Sequence, residues 1–340
     1  MAQAGPSEGN HGFYEIKDAG RKGQGAFALK DICAGTRILV DAPLFVIDKN
    51  SQDDIELADI LSKLSALPSA TRHQFGSLPF APFFANGSSM MQLYSRFDFN
   101  KFAISGGKGW GCFRYASRFN NSCLPNCAIS TTNQGTKQLR VTRNVSAGDE
   151  LTFAYFEGLQ YMTTAERQEF LHHQFSDSPC ICQLCSLPAD QRMLSDMRRK
   201  LMRHLLYVLR NGMDLEAGIP PQITSRNYHP LPEFEIASEP AGYFTALAEA
   251  EGIVGVLVWN MYVKGGGDLL QDFHSNGFTR VPRSAMRTIG LWMRRASHIK
   301  MVLLGSTGFS RKQIDDQADR LVEVADMLEQ SGGRFDAAGL

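Results

Sequence analysis

Between residues 180 and 185 the chain reads Cys180-Ile181-Cys182-Gln183-Leu184-Cys185, and no other stretch restricts its fold as strongly. Three thiols at this spacing can reach one tetrahedral zinc ion, which binds sulfur at about 2.3 Å and normally takes four ligands in a structural site. The fourth ligand must come from elsewhere. Cys123 and Cys127, on either side of Pro125 in an otherwise polar loop, are the candidates. A free cysteine is usually a buried thiol with no ligand role, but three within six residues do not fit that reading. The 7 cysteines are an odd number, and the N-terminal MAQAGPSEGN has no charged region followed by an apolar run. The cluster therefore reads as metal ligation in an intracellular chain and not as a disulfide framework.

Composition sets the outer limits. A chain of 340 residues is long enough for about two domains with cores of their own. Its 43% hydrophobic and 10% aromatic content excludes wholesale disorder. With 35 basic against 35 acidic residues, no global field attracts nucleic acid or anionic membrane, so direct nucleic-acid binding is not expected. The most apolar stretch, Ile253 to Trp259, is far short of the roughly 20 residues that span a bilayer, so no membrane partner is expected either.

The first 50 residues are strand-like. A glycine-rich turn at Gly20–Gly25 precedes β-prone runs at Ala26–Leu29 and Ile38–Ile47, broken by Gly35 and Pro43. Over residues 53–67 the period becomes helical, with Ile60, Leu61, Leu64 and Leu67 on one face and Pro68 closing the segment. Residues 76–90 carry Gly, Pro and Ser and read as a loop, and short strands return from 102 to 156. Beyond Asp190 the pattern is helical. Leu194, Met197, Leu201, Leu205 and Val208 form one stripe; Ile289, Trp292, Ile299, Val302 and Leu303 a second; Ile314, Leu321, Val324 and Leu328 a third.

Three further segments carry polar chemistry. Arg118-Phe119-Asn120-Asn121-Ser122-Cys123-Leu124-Pro125-Asn126 suits a ligand-binding loop and suits a tight turn equally well. Gly148-Asp149-Glu150-Leu151-Thr152-Phe153-Ala154-Tyr155 ends an apolar strand on a tyrosine, whose hydroxyl serves either a cleft floor or simple packing. Lys22-Gly23-Gln24-Gly25 lets backbone approach a ligand closely, or forms a plain hairpin turn.

Taken in order, the GxG turn, RFNNSCxPN, GDELTFAY and CxCxxC resemble a SET-domain methyltransferase over about residues 12–187. In that family the central motifs run approximately N-H-S-C-x-P-N and G-E-E-L-x-x-x-Y, followed by a cysteine-rich post-SET segment. The CxCxxC spacing is most similar to the SMYD-like branch. Only Cys33 and Cys112 are left over, so no MYND finger is available.

The resemblance implies an α+β protein: a β-rich SET fold with a helical insert and a knot-like C-terminal crossing, a post-SET zinc site, and an α-helical C-terminal domain. Residues 12–50 and 97–160 would be the two SET parts, 51–96 the insert, 161–189 the zinc-binding segment and 190–335 the helical domain. It further implies S-adenosyl-L-methionine (SAM) held by Lys22, Gly23, Gln24 and Gly25, by the side chain of Asn120 and by the backbone of Asn121. Structural Zn²⁺ would sit on Cys123, Cys180, Cys182 and Cys185, with Tyr155 as the active-site tyrosine. The implied activity is methyl transfer to a protein lysine, in cytoplasm or nucleus. Methylation of a small-molecule amine is the alternative, and a repurposed, non-catalytic SET fold a third reading.

Two residues depart from the family pattern: Asn121 stands where the family has histidine, and Phe156 follows Tyr155 where many relatives have a polar residue or tyrosine. In the insert, Phe80, Phe83 and Phe84 either line the acceptor channel or pack beside prolines. In the tail, Arg280, Arg283, Arg287, Arg294, Arg295 and Lys300 read first as a solvated helix face and second as a basic surface for an acidic substrate.

Overall fold

Glycine and proline punctuation cuts the first half of the chain into short antiparallel pairings, as seen in a computed structural model that describes residues 12–104, 109–174, 178–209, 238–275, 283–305, 316, 319, 320 and 323. The chain divides into two compact units. One takes the residues up to Asn120 and Asn126–Phe153, and the other takes Asn121–Pro125 and everything from Ala154 onward.

In the first unit, β1 (Tyr14–Asp18) and β2 (Gln24–Ala28) form a hairpin in the register Tyr14↔Ala28 to Asp18↔Gln24. Its turn needs glycine at Gly20 (φ 65°) and Gly23 (φ 76°), both in the left-handed region. After β3 (Arg37–Asp41) and β4 (Phe45–Ile47), the insert forms α1 (Leu57–Ala66), α2 (Ser69–Gly76) and α3 (Ser89–Asn100). The strands resume with β5 (Lys101–Ala103), β6 (Trp110–Cys112), β7 (Asn120–Asn121), β8 (Cys127–Thr131), β9 (Lys137–Val141) and β10 (Glu150–Phe153). They assemble as three sheets in the orders β1-β2-β10-β7, β3-β9-β8 and β4-β6-β5.

Strand β9 buries Lys137, Leu139 and Val141 in alternation, the pattern of a half-buried strand. Leu139 and Val141 join Tyr14, Ala26, Ile38, Phe113, Phe119 and Leu151 in the main core. A second cluster anchors the insert, with Phe45 edge-on to Phe75 at 5.3 Å and stacked on Phe97 at 5.7 Å. Helix α1 starts with a capping box between Glu56 and Asp59, and α3 with Ser88 accepting the Met91 N–H. The loop expected at 76–90 is therefore shorter, flanked by two helices and holding one helical turn at Pro82–Phe84.

The second unit is helical: α4 (Thr164–Gln174), α5 (Ala189–Leu209), α6 (Glu239–Ala250), α7 (Val256–Ser275) and α8 (Arg283–Leu304). Met202, Leu206, Phe244, Val258, Ala296 and Ile299 form its larger core. Helix α7 tolerates Gly265, although glycine costs about 1 kcal/mol in a helix interior relative to alanine. A Cβ there would come within 2.7 Å of the Trp292 ring from α8.

The stripe expected on α5 is corrected here. Leu205 is buried, but Leu194, Met197 and Leu201 are 48%, 55% and 46% exposed. The buried face instead carries Ser195, Arg199, Met202 and Leu206, because Glu251 receives Arg199, Arg198 and the Ser195 hydroxyl. The α8 stripe does pack inward through Ile289, Ile299 and Val302. Ile314, Leu321, Val324, Leu328 and Arg280 lie outside the described residues, as do the side chains of Val208 and Arg283. Of the remaining basic residues, Arg294 pairs with Asp319 at 3.1 Å, Arg295 with Glu249 at 3.5 Å, and Lys300 lies over the Trp259 ring. Among the described residues no helix is long and apolar enough to cross a membrane.

Candidate functional site

The first unit gathers Lys22, Gln24, Gly25 and Asn120 around one carboxylate, Glu150. Lys22 Nζ pairs with Glu150 Oε2. Asn120 Nδ2 donates to Glu150 Oε1 at 2.8 Å and to the Gln24 carbonyl at 3.1 Å. Glycine is required at position 25 for these side chains to lie against the strand, since a Cβ there would sit 2.9 Å from both Asn120 Nδ2 and Glu150 Oε1. Two side chains hold the segment in place. Asp41, fully buried, accepts the N–H groups of Tyr115 and Ala116 at 2.8 Å each. Asn126 donates to the Glu150 carbonyl and accepts the Thr152 N–H, both at 2.8 Å, and so ties its loop to β10.

Lys22 and Asn120 each contact Glu150, so an ammonium, an amide and a carboxylate stand together, the kinds of group that can pair with the carboxylate and ammonium of an α-amino acid. The sequence by itself points to no separate role for Glu150. Its place inside the GDEL motif was the only signal.

In the second unit, Asn121 is buried. Its Oδ1 accepts the Tyr155 N–H at 2.9 Å, and its Nδ2 has no hydrogen-bond partner among the described residues. Tyr155 itself is 42% exposed. Phe156 points elsewhere: its ring meets Phe170 of α4 edge-on at 5.2 Å, and it packs against the cysteine cluster.

That cluster brings Cys123, Cys180, Cys182 and Cys185 together, all buried, with their sulfurs within 4.8 Å of one another. Cys123 Sγ lies 3.8 Å from Cys180 Sγ and 3.8 Å from Cys185 Sγ. Four sulfurs at 2.3 Å from a tetrahedral ion stand about 3.8 Å apart, so the set fits zinc. Cys127, the other candidate, instead sits in the first unit's core, where burial pushes its thiol up to about 12.

Neighbouring side chains fix the cysteines. Gln168 of α4 exchanges two 2.8 Å hydrogen bonds with the Cys180 backbone. Arg167, with no exposed surface, donates through Nε to Cys185 Sγ at 3.5 Å. Burial alone would lower the Arg167 pKa, but the charge and hydrogen bond of Cys185 outweigh it and push it up. Sharing protons with Cys180, Cys182 and Cys185 drives the Cys123 thiol up, whereas hydrogen bonds from Cys123, Cys180 and Cys185 pull Cys182 down. Metal binding to such a set requires the thiolate forms and releases the remaining protons.

The aromatics of the insert lie in the first unit, where Phe83 is 82% exposed and Arg96 covers Phe80 at 5.1 Å.

Comparison with known proteins agrees with the motifs. A family model described as the SET domain matches residues 23–156. The histone-lysine N-methyltransferase SMYD3 of Mus musculus is 34% identical over 107 residues, which is 30% of this chain; the chain spans 24% of that protein's length. A Plasmodium falciparum structure described as a histone methyltransferase aligns at 13% identity over 44% of this chain and 94% of its own, with a TM-score of 0.25, and carries no argument. On the family match, residues 23–156 of the chain are similar to a SET domain.

Proposed function

We propose that this protein is a SAM-dependent N-methyltransferase that modifies a lysine side chain of a protein. The observation carrying this reading is the SET match over 23–156; it is supported by Asn120 lying against Gln24 and Glu150, by Asn121 accepting the Tyr155 N–H, and by four converged cysteines.

SAM supplies an electrophilic methyl group on a sulfonium, which an amine takes as the carbon–sulfur bond breaks, releasing S-adenosylhomocysteine and a proton. Lys22, Glu150 and Asn120 would bind the cofactor's amino-acid end, with Gly23, Gln24 and Gly25 giving its backbone approach. Asn121 would offer its backbone to the adenine. Tyr155 would orient the acceptor amine with its hydroxyl and make weak C–H···O contacts with the methyl. A free lysine has a pKa near 10.4, so an apolar channel has to favour its neutral form before it can attack. Zinc on Cys123, Cys180, Cys182 and Cys185 would order the segment after Tyr155.

Calorimetric titration of the zinc-loaded protein with SAM and S-adenosylhomocysteine is the first test. Micromolar affinity, about −8 kcal/mol, is expected. Mass spectrometry of the product then decides the acceptor. A 14-Da gain on lysine in a peptide digest supports the reading, the same gain on a metabolite replaces the substrate class, and a folded protein that binds neither ligand overturns it.

A further inference from the structure

Arginine 167 lies beside the cysteine cluster in an unusual setting. It has no exposed surface, and each of its three nitrogens has a partner. Nη1 donates to the Met162 carbonyl, Nη2 to Thr164 Oγ1 at 2.9 Å, and Nε to Cys185 Sγ at 3.5 Å. Arginine stays charged at any ordinary pH, so it cannot relieve its burial by losing a proton. The anions that feel its charge are Cys185, Cys123 and Asp196, and Asp196 is also held by the backbone N–H and hydroxyl of Thr164. Arg199 is a second buried cation nearby, but Glu251 answers it.

Zn²⁺ with four thiolates carries a net charge of about −2, an expensive quantity to keep out of water. A guanidinium donating to one of those sulfurs removes part of that cost and occupies a lone pair that an electrophile would otherwise use.

We infer that Arg167 is an outer-layer residue of the metal site. It offsets the charge of the four thiolates and lowers the reactivity of Cys185, so that the metal is held more tightly and resists electrophiles. The inference rests on the zinc reading above. It concerns the site's chemical durability, which methyl transfer does not require.

The test compares the zinc-loaded full chain with Arg167→Met and Arg167→Lys under iodoacetamide. The attacking sulfur forms a bond to the reagent's methylene carbon as iodide leaves, and the resulting thioether is no longer an anionic ligand. Zinc released is read by a chromogenic chelator, and the alkylated cysteine by peptide mass spectrometry. Arg167→Met is expected to release zinc at least tenfold faster, with Cys185 modified first, and to bind zinc 10- to 100-fold more weakly in chelator competition. Arg167→Lys, which keeps the charge, should fall between. The wild-type protein provides a reading that needs no variant. Cys185 is slightly more exposed than Cys182, at 5% against 3%, yet should be alkylated more slowly. Zinc held and released by Arg167→Met at the wild-type rate, or Cys185 reacting faster than Cys182 in the wild type, overturns the inference alone. A protein that carries no zinc by elemental analysis overturns the metal reading and this inference with it.

Discussion

The Asn121 side chain holds the backbone of Tyr155, its Oδ1 accepting the Tyr155 N–H at 2.9 Å. Asparagine at this position thus has a direct tie to the tyrosine. Asn121→Ala should cost about 0.5–1.5 kcal/mol of stability, the usual worth of one such bond. Turnover should fall about tenfold or more, with the larger part in kcat. Thermal melts and steady-state kinetics on the same preparation check both.

Tyr155 is exposed enough to give up its hydroxyl without disturbing a core. Tyr155→Phe should keep the wild-type melting temperature and the affinity for S-adenosylhomocysteine while losing most methyl transfer. Retained turnover with an unchanged product would remove the tyrosine from the mechanism.

Metal removal should be more damaging than any single substitution. Structural zinc is worth about 10–16 kcal/mol in small sites, comparable to a whole domain's stability of about 5–15 kcal/mol. A strong chelator, or Cys123→Ser, should therefore melt the segment around Cys180–Cys185 and abolish activity. Elemental analysis should find one zinc per chain, and heating with and without chelator should show the loss.

Glu251 is almost fully buried and faces Arg199, which is wholly buried. Arg199→Ala removes the buried one of the two cations on that carboxylate, leaving Arg198 and the Ser195 hydroxyl, and should cost about 3 kcal/mol in urea unfolding. Burial alone would raise the Glu251 pKa, but hydrogen bonds from Ser195, Arg198 and Arg199 hold it below the ordinary value of 4.5. Its contribution is therefore complete above pH 4.5 and lost as pH falls through the lower, folded-state value. The acid limb of the stability curve should flatten in Glu251→Gln.

Lys137 gives a pH slope of the same sign at the basic end, although there the burial is a cost and not a gain. Burial lowers its pKa from 10.5 to about 8, although Nζ donates to the Ala103 carbonyl and Thr131 Oγ1 at 2.7 Å and lies near the Phe102 and Phe113 rings. Between those pH values the unfolded chain binds the extra proton, so this group makes stability rise with pH from about 8 to 10.5. Urea midpoints measured across that range should show the rise in the wild type and lose it in Lys137→Met.

Where a constraint is local and demanding, the sequence revealed it. The glycine-rich turn at Gly20–Gly25 is found as a hairpin turn with Gly20 and Gly23 left-handed, and the CxCxxC spacing brings its three sulfurs together. The choice of Cys123 over Cys127 came from a motif and not from spacing; the core position of Cys127 explains why only one of them is available. The buried face of α5 was not legible. Arg199 and Ser195 look like surface residues until Glu251, more than 50 positions away, arrives to pair with them. Meanwhile Leu194, Met197 and Leu201 have the right period on the wrong side. Glu150 and Arg167 escaped notice for the same reason, since their roles depend on partners distant in sequence.

The interleaving of the two units limits how the protein can be dissected. Asn120 and Asn126 belong to one unit, and the five residues between them to the other, whose remainder begins at Ala154. A fragment ending at Phe153 thus carries Cys123 without Cys180, Cys182 or Cys185, and a fragment starting at Ala154 carries those three without their fourth. Gene truncation cannot yield two self-sufficient modules here, because a single cut at that boundary leaves the four cysteines on two fragments.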